Sequence, residues 1–170
     1  MLERKRKLDC ANGREKADLV LKNGNVLNVF TEEVLKADVA ICGDTIVGVG
    51  EYEGKEEIDC TGKYLVPGFI DAHMHIESCM AAPGELAKVL AKAGTTTIIA
   101  DPHEIVNVLG IPGLDYMMNA AKNTKLDIKY MLPSCVPATP FENAGAVIDA
   151  VDMEDPILRD NILGLGEFMN

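Results

Sequence analysis

The rhythm of apolar and polar positions changes once along the chain, near Pro67-Gly68. Upstream, from Asp18 to about Leu65, short β-rich runs are punctuated by turn residues. "DLVLKNGNVLNVF" places Asn23-Gly24 between two apolar runs, and "ADVAICGDTIVGVG" does the same around Gly43-Asp44. Such dipeptides between alternating runs predict hairpins. The segment is a small all-β unit of fewer than about fifty residues, with little capacity to bury a core alone. Downstream the pattern alternates between strand and helix. "FIDAHMH" (69–75), "TTTIIA" (95–100), "DIKYMLP" (127–133) and "NILGLGE" (161–167) read as four strands. Between them Leu86, Val89, Leu90 and Ala93 fall at helical spacing, with Pro83 to start the helix and Gly94 to stop it. Leu114, Met117, Met118 and Ala121 give a second helix behind Pro112, and a weak helical segment spans residues 152–158. Strand and helix alternating at this interval predict parallel βαβ units.

At 170 residues the chain accommodates one ordinary domain, or a small domain and part of a larger one. A composition of 48% hydrophobic and 25% charged residues suits a globular protein that can build a core. The net charge is −11, and because the first sixteen residues carry six Lys/Arg against three Asp/Glu, the remainder stands at −14. Such an acidic body repels nucleic acid and anionic membrane. The Arg4-Lys5-Arg6-Lys7 run reads as a solvated N-terminal helix rather than an address signal. No apolar stretch follows it, so neither a secretory signal nor a membrane span is predicted. Cys10, Cys42, Cys60, Cys79 and Cys135 are widely spaced and form no C-x-x-C pair. They read as free thiols of a cytoplasmic protein.

The chemistry concentrates where strands end. In an extended strand Asp71, His73 and His75 project to one face, and two imidazoles one residue apart can chelate a single divalent ion. The second strand ends in "ADPHE" (100–104), bringing Asp101, His103 and Glu104; the third ends in "MLPSCVPATP" (131–140) with Ser134; the fourth ends in "GLGE" (164–167) with Glu167. Each has a bland reading: Asp101 before a proline can serve only to start a turn, His103 can be a polar loop residue, and Glu167 a solvated strand end. The C-terminal rim of a parallel sheet is nonetheless where barrel enzymes place their reacting groups, and four consecutive strand ends carry ligand-type residues.

"VPGFIDAHMHIES" resembles the first barrel strand of the amidohydrolase superfamily. "GTTTIIADPHEIVNVLG" (94–110), "YMLPSCVPATPFE" (130–142) and "GLGEFMN" (164–170) are together similar to its adenine deaminase family, a likeness running from about Ala17 to the end. Two departures are mild: Cys79 stands where a second serine is usual, and "AKAGTTT" replaces a histidine-containing approach to the threonines. The resemblance implies an α/β fold: the first half of a (β/α)8 TIM-type metal-dependent hydrolase barrel preceded by a small all-β composite domain. On that reading residues 1–16 are a charged N-terminal helix or extension, 17–66 the partial β domain, and 67–170 the first four β/α units. It further implies that His73, His75 and Glu167 ligate metal, with Glu167 bridging two ions. Asp101, His103, Glu104, Glu77 and Ser134 would line the substrate or metal pocket. The implied cofactor is a divalent metal, Mn2+ or Fe2+ ahead of Zn2+, binuclear in the complete enzyme. The implied reaction is metal-activated hydroxide attack at C6 of adenine, giving hypoxanthine and ammonia for purine salvage or adenine catabolism. The H-x-E and P-C-x-x-C signature of cytidine-type deaminases is absent.

A complete barrel of this type has about 250 residues and eight strands. From Pro67 onward this chain has 104 residues. The resemblance places the remaining histidines on strands five and six and the catalytic aspartate on strand eight. The chain is accordingly expected to be an N-terminal fragment, inactive alone, of an enzyme that forms homo-oligomers at full length. Two alternatives are a cyclic-amide hydrolase of the dihydroorotase or hydantoinase kind, and a non-catalytic half that complements a separate C-terminal chain. A plain α/β domain with no site is the third.

Overall fold

The structure, a computed structural model, describes residues 2–169. It divides into two compact units that meet between Pro67 and Gly68. In the first, helix α1 (Leu2–Ala11) precedes strands β1 (Ala17–Asn28), β2 (Glu33–Cys42), β3 (Thr45–Gly50), β4 (Gly54–Asp59) and β5 (Tyr64–Leu65). The sheet order is β3-β2-β1-β4, with β5 also paired to β1. β1 and β3 each run antiparallel to β2, whereas β4 and β5 run parallel to β1. The hairpin at Gly43-Asp44 forms as its sequence predicts: Cys42 pairs with Thr45, and Gly43 takes a φ of 62°.

The hairpin expected at Asn23-Gly24 does not form. β1 continues straight through the dipeptide, and the pairing with β2 shifts register between Leu21 and Gly24. Asn23 adopts a φ of 61°, so the left-handed residue makes a bulge and not a turn. Asp38 on β2 holds that bulge. Its carboxylate accepts the backbone N–H of Asn23 at 2.9 Å and of Tyr52 at 3.2 Å, and meets Lys22 Nζ at 2.5 Å. The N-terminal helix is likewise docked rather than solvated. Lys7 Nζ reaches Asp44 at 2.9 Å and Thr45 at 2.8 Å, Arg6 pairs with Asp18, and Cys10 is buried.

Asp38 is 6% exposed. Burial works against its ionisation, but Lys22 and the two amides overcome that and hold it below the usual carboxylate range. A depressed carboxylate contributes stability above its unfolded pKa of about 4, and that contribution is lost as pH falls through the folded value. Asp38→Asn is therefore expected to cost about 1–3 kcal/mol at neutral pH, the lower end reflecting partly exposed Lys22. Urea denaturation should show the gap from the parent chain narrowing below pH ~4. A gap that stays constant down to pH ~3 would exclude the ion pair as its source.

The second unit contains β6 (Phe69–Met74), α2 (Pro83–Lys92), β7 (Thr95–Ala100), α3 (His103–Leu109), α4 (Ile111–Ala121), β8 (Asp127–Leu132), α5 (Ala150–Met153) and β9 (Ile162–Leu165). Short 3-10 turns lie at Glu77–Cys79 and Pro156–Leu158. The four strands are parallel and ordered β6-β7-β8-β9, as in the first half of a (β/α)8 barrel. One sheet face buries Ile98, Ala100, Ile128, Tyr130 and Leu132 against Ala87, Val106, Leu114 and Met117 of the helices. Tyr130 donates to Met117 O at 2.9 Å, giving its buried hydroxyl a partner. On the opposite face Leu163 and Leu165 of β9 are exposed.

Three details depart from expectation. Val89 and Ala93 are exposed, because α2 packs through Pro83, Leu86, Ala87 and Leu90. Helix α3 begins inside the "ADPHE" segment, so His103 is the buried first residue of a helix and not a loop residue. His75 lies one residue beyond the end of β6, past a register shift between Asp71 and Met74. No described helix is long and apolar enough to cross a membrane.

Candidate metal centre

The parallel register carries backbone pairing past the ends of the strands. Asp101 N–H donates to Met74 O at 2.8 Å, and Gly166 N–H to Leu132 O at 2.6 Å. These two bonds set the β7 and β9 termini at one level of the sheet, beside the end of β6. Glu167 consequently meets residues almost a hundred positions earlier. Its Oε1 is 2.7 Å from His73 Nε2 and 3.3 Å from His75 Nε2, and the two imidazole nitrogens are 3.2 Å apart.

Two ring nitrogens and a carboxylate oxygen so gathered, all within 4.8 Å of one another, are a donor set a divalent cation satisfies. Nitrogen and oxygen donors suit Mn2+, Fe2+ or Zn2+. The tautomer of His75 also fits. Its Nδ1 faces Glu104 Oε2 at 3.0 Å, and Ser78 Oγ donates to the other Glu104 oxygen at 2.7 Å. An Nδ1–H bonded to Glu104 leaves the Nε2 lone pair for metal, the usual arrangement of a ligating histidine. Burial alone would lower the His75 pKa, but Glu104 and then Glu167 outweigh it and raise it. Burial opposes ionisation of Glu104 as well, yet Ser78 and His75 hold it below its ordinary value.

Glu167 is fixed at its backbone from two sides. Its N–H donates to Asp101 Oδ2 at 2.8 Å, while Ser134 Oγ and Cys135 Sγ donate to its carbonyl at 2.8 and 3.1 Å. Asp101 is completely buried, and its Oδ1 lies 2.6 Å from His103 Nδ1. Burial would raise the Asp101 pKa, but His103 and the Glu167 amide bring it below the usual range. For His103 burial pulls downward, and Asp101 and Cys135 push its pKa up to about 9. A second group of ligand-type atoms, Asp101, His103 and Glu167, also lies within 4.8 Å and shares Glu167 with the first.

Of the residues the sequence singled out, His73, His75, Asp101, His103, Glu104 and Glu167 converge on this rim. Ser134 reaches only the Glu167 carbonyl. Glu77 turns away: Oε1 accepts the Ile105 N–H at 3.2 Å, and burial raises its pKa. The sequence reading passed over Cys135 and Ser78. The signal for Cys135 is its place just after the third strand, next to Ser134.

A family model described as the amidohydrolase family matches residues 64–165. Among curated proteins, "Adenine deaminase 2" of Desulfotalea psychrophila is 58% identical over 98% of this chain and 29% of its own length. "Adenine deaminase" of Clostridium acetobutylicum is 56% identical over 96% of this chain and 29% of its own. The chain thus spans about 29% of the length of these relatives. Among solved structures, a β-aspartyl dipeptidase from Fervidobacterium islandicum AW-1 superposes with a TM-score of 0.58 at 22% identity, covering 91% of this chain and 41% of that one. A D-aminoacylase described with a binuclear metal centre gives a TM-score of 0.51 at 24% identity, covering 68% and 29%. At these identities the structural likeness speaks for the fold.

Proposed function

The chain belongs to the amidohydrolase family, and on that footing we propose that it carries the first metal ligands of an adenine deaminase, which converts adenine and water to hypoxanthine and ammonia. The observation that carries the metal reading is the meeting of His73, His75 and Glu167 at one carboxylate oxygen. The substrate reading is supported by the sequence likeness to the adenine deaminases. A divalent metal, Mn2+ or Fe2+ ahead of Zn2+, supplies Lewis-acid activation of water at neutral pH when bound.

The chain's own residues prepare that chemistry. Glu104 fixes the His75 tautomer, and Ser78 fixes Glu104. Asp101, Ser134 and Cys135 hold the backbone N–H and carbonyl of Glu167, which fixes the point from which its side chain reaches His73 and His75. The length of the relatives supports a further proposal: the remaining ligands and the proton-transferring group lie on chain beyond these four strands, contiguous or supplied as a complementing partner. The resemblance, together with five cysteines without a C-x-x-C pair, is the ground for proposing a cytoplasmic homo-oligomer.

The test is conversion of adenine by the native gene product, metal-loaded and purified from its own cells, with dihydroorotate as the comparison substrate. Hypoxanthine and stoichiometric ammonia are expected from adenine, with no turnover of dihydroorotate. The reverse selectivity would transfer the site to a cyclic-amide hydrolase.

A further inference from the structure

We propose that Glu77 is a positioning residue: by accepting the Ile105 N–H it sets the first turn of α3, and that turn places Glu104 against His75. The effect on metal affinity rests on the metal-centre reading above, whereas the state of the His75 ring can be observed without a metal.

The first argument is what α3 lacks. Its N-cap is Pro102, whose side chain makes no capping bond. The first bond inside the helix runs from Val106 N–H to Pro102 O at 3.1 Å, so the amides of the residues before Val106 have no carbonyl within α3. A Ser, Thr, Asp or Asn at the N-cap ordinarily takes the second or third of these amides. In α3 the third belongs to Ile105, and it donates to Glu77 Oε1 at 3.2 Å, on a turn 28 residues earlier. Glu77 caps from outside a helix whose own N-cap residue cannot.

The second argument is what that turn of helix carries. Ser78 Oγ donates to Glu104 Oε1 at 2.7 Å, and Glu104 Oε2 meets His75 Nδ1 at 3.0 Å. Residues 75–78 and 104–105 are thus joined by three hydrogen bonds. Two end on the Glu104 side chain, and the third, from Glu77, ends on the backbone next to it. The side-chain pair can form together only while the start of α3 keeps its distance from the 3-10 turn at Glu77–Cys79, and the Glu77 bond sets that distance. Ile105 packs against the core and secures the other side of the same turn.

The third argument concerns the two oxygens of Glu77. Oε2 is buried and finds no hydrogen-bond partner among the described residues. Oε1 alone therefore does the holding, as an acceptor that a glutamine also offers. The role needs the acceptor and not the charge, which makes Glu77→Gln the conservative variant and Glu77→Leu the disruptive one.

In the unsubstituted, metal-free chain the Ile105 amide is expected to exchange with solvent as slowly as that of Val106. An Ile105 amide that exchanges like an unbonded one overturns the proposal without any variant. Nitrogen NMR in alkaline buffer, where the imidazole is neutral, should find His75 protonated at Nδ1. Glu77→Leu, its fold checked by circular dichroism, should lose that tautomer preference and bind Zn2+ about tenfold more weakly in calorimetric titration, as outer-shell changes do. Glu77→Gln should keep the tautomer and an affinity within about threefold of the parent. In a Glu104→Ala background Glu77→Leu should weaken Zn2+ binding no further, because the group it acts through is gone. A folded Glu77→Leu chain that keeps both tautomer and affinity, or one whose loss is undiminished without Glu104, overturns the role. Should no chain bind Zn2+, the metal centre falls, and the His75 tautomer in the metal-free variants alone decides for or against Glu77.

Discussion

Glu167→Gln is expected to weaken Zn2+ binding by the chain more than ~100-fold, beyond the loss typical of an outer-shell change at a metal site. Glu167 supplies the oxygen on which both histidines converge, 2.7 Å from His73 Nε2 and 3.3 Å from His75 Nε2. The substitution keeps the side chain's volume and removes its charge. The backbone is untouched, so Asp101, Ser134 and Cys135 still hold the same peptide. Without the carboxylate the two imidazoles are left as a bidentate pair. Calorimetric titration with Zn2+ reads the change directly, and urea denaturation of the metal-free proteins separates binding from folding. An affinity within about threefold of the parent would mean that Glu167 is not a ligand.

Gly166→Ala is expected to destabilise the chain by about 1–3 kcal/mol through overpacking and to weaken Zn2+ binding ~10–100-fold. A Cβ on Gly166 would sit 2.9 Å from both Asp101 Cγ and Oδ1, and closer still to Oδ2. Gly166 is not among the residues with positive φ, so the cost is steric and not conformational. Asp101 is buried, ion-paired to His103 and bonded to the Glu167 amide, and cannot swing clear without releasing the strand end. Either Asp101 moves or the end of β9 does, and Glu167 moves with either. A double-mutant cycle decides the cause: in an Asp101→Ala background the stability cost of Gly166→Ala should shrink, since the clashing atoms are gone. An equal cost in both backgrounds would place the origin elsewhere.

Much of this architecture was legible in periodicity. Residues 95–100 read as a strand and form one, buried at Ile98 and Ala100 only, and the Leu114–Met117–Met118–Ala121 stripe does face the core. Some local signals are compatible with two physical outcomes, and the tertiary structure takes the less obvious one. Asn23-Gly24 offers a left-handed residue, which serves a bulge as well as a turn; pairing of β1 with β2 on both sides of it, and Asp38 beneath it, selected the bulge. The "ADPHE" segment looked like a strand-end loop because its two prolyl-flanked residues carry no helical stripe of their own. Val106, buried in the core, and Ile105, packed against it, anchor α3 on the sheet.

At the site, the sequence by itself determined which kinds of atom each strand end would present: an H-x-H after the first strand, Asp101 and His103 after the second, a glutamate after the fourth. Burial faces within one strand or helix follow from a fixed local period, so these were readable. Which of those atoms touch was decided by tertiary structure alone. Glu167 reaches His75 across 92 residues, and it does so because the parallel register, extended by the Asp101–Met74 and Gly166–Leu132 bonds, levels the strand ends. A slip of one residue in that register would turn every strand-end side chain to the other face. No local pattern encodes that register; it comes from packing the sheet against its helices.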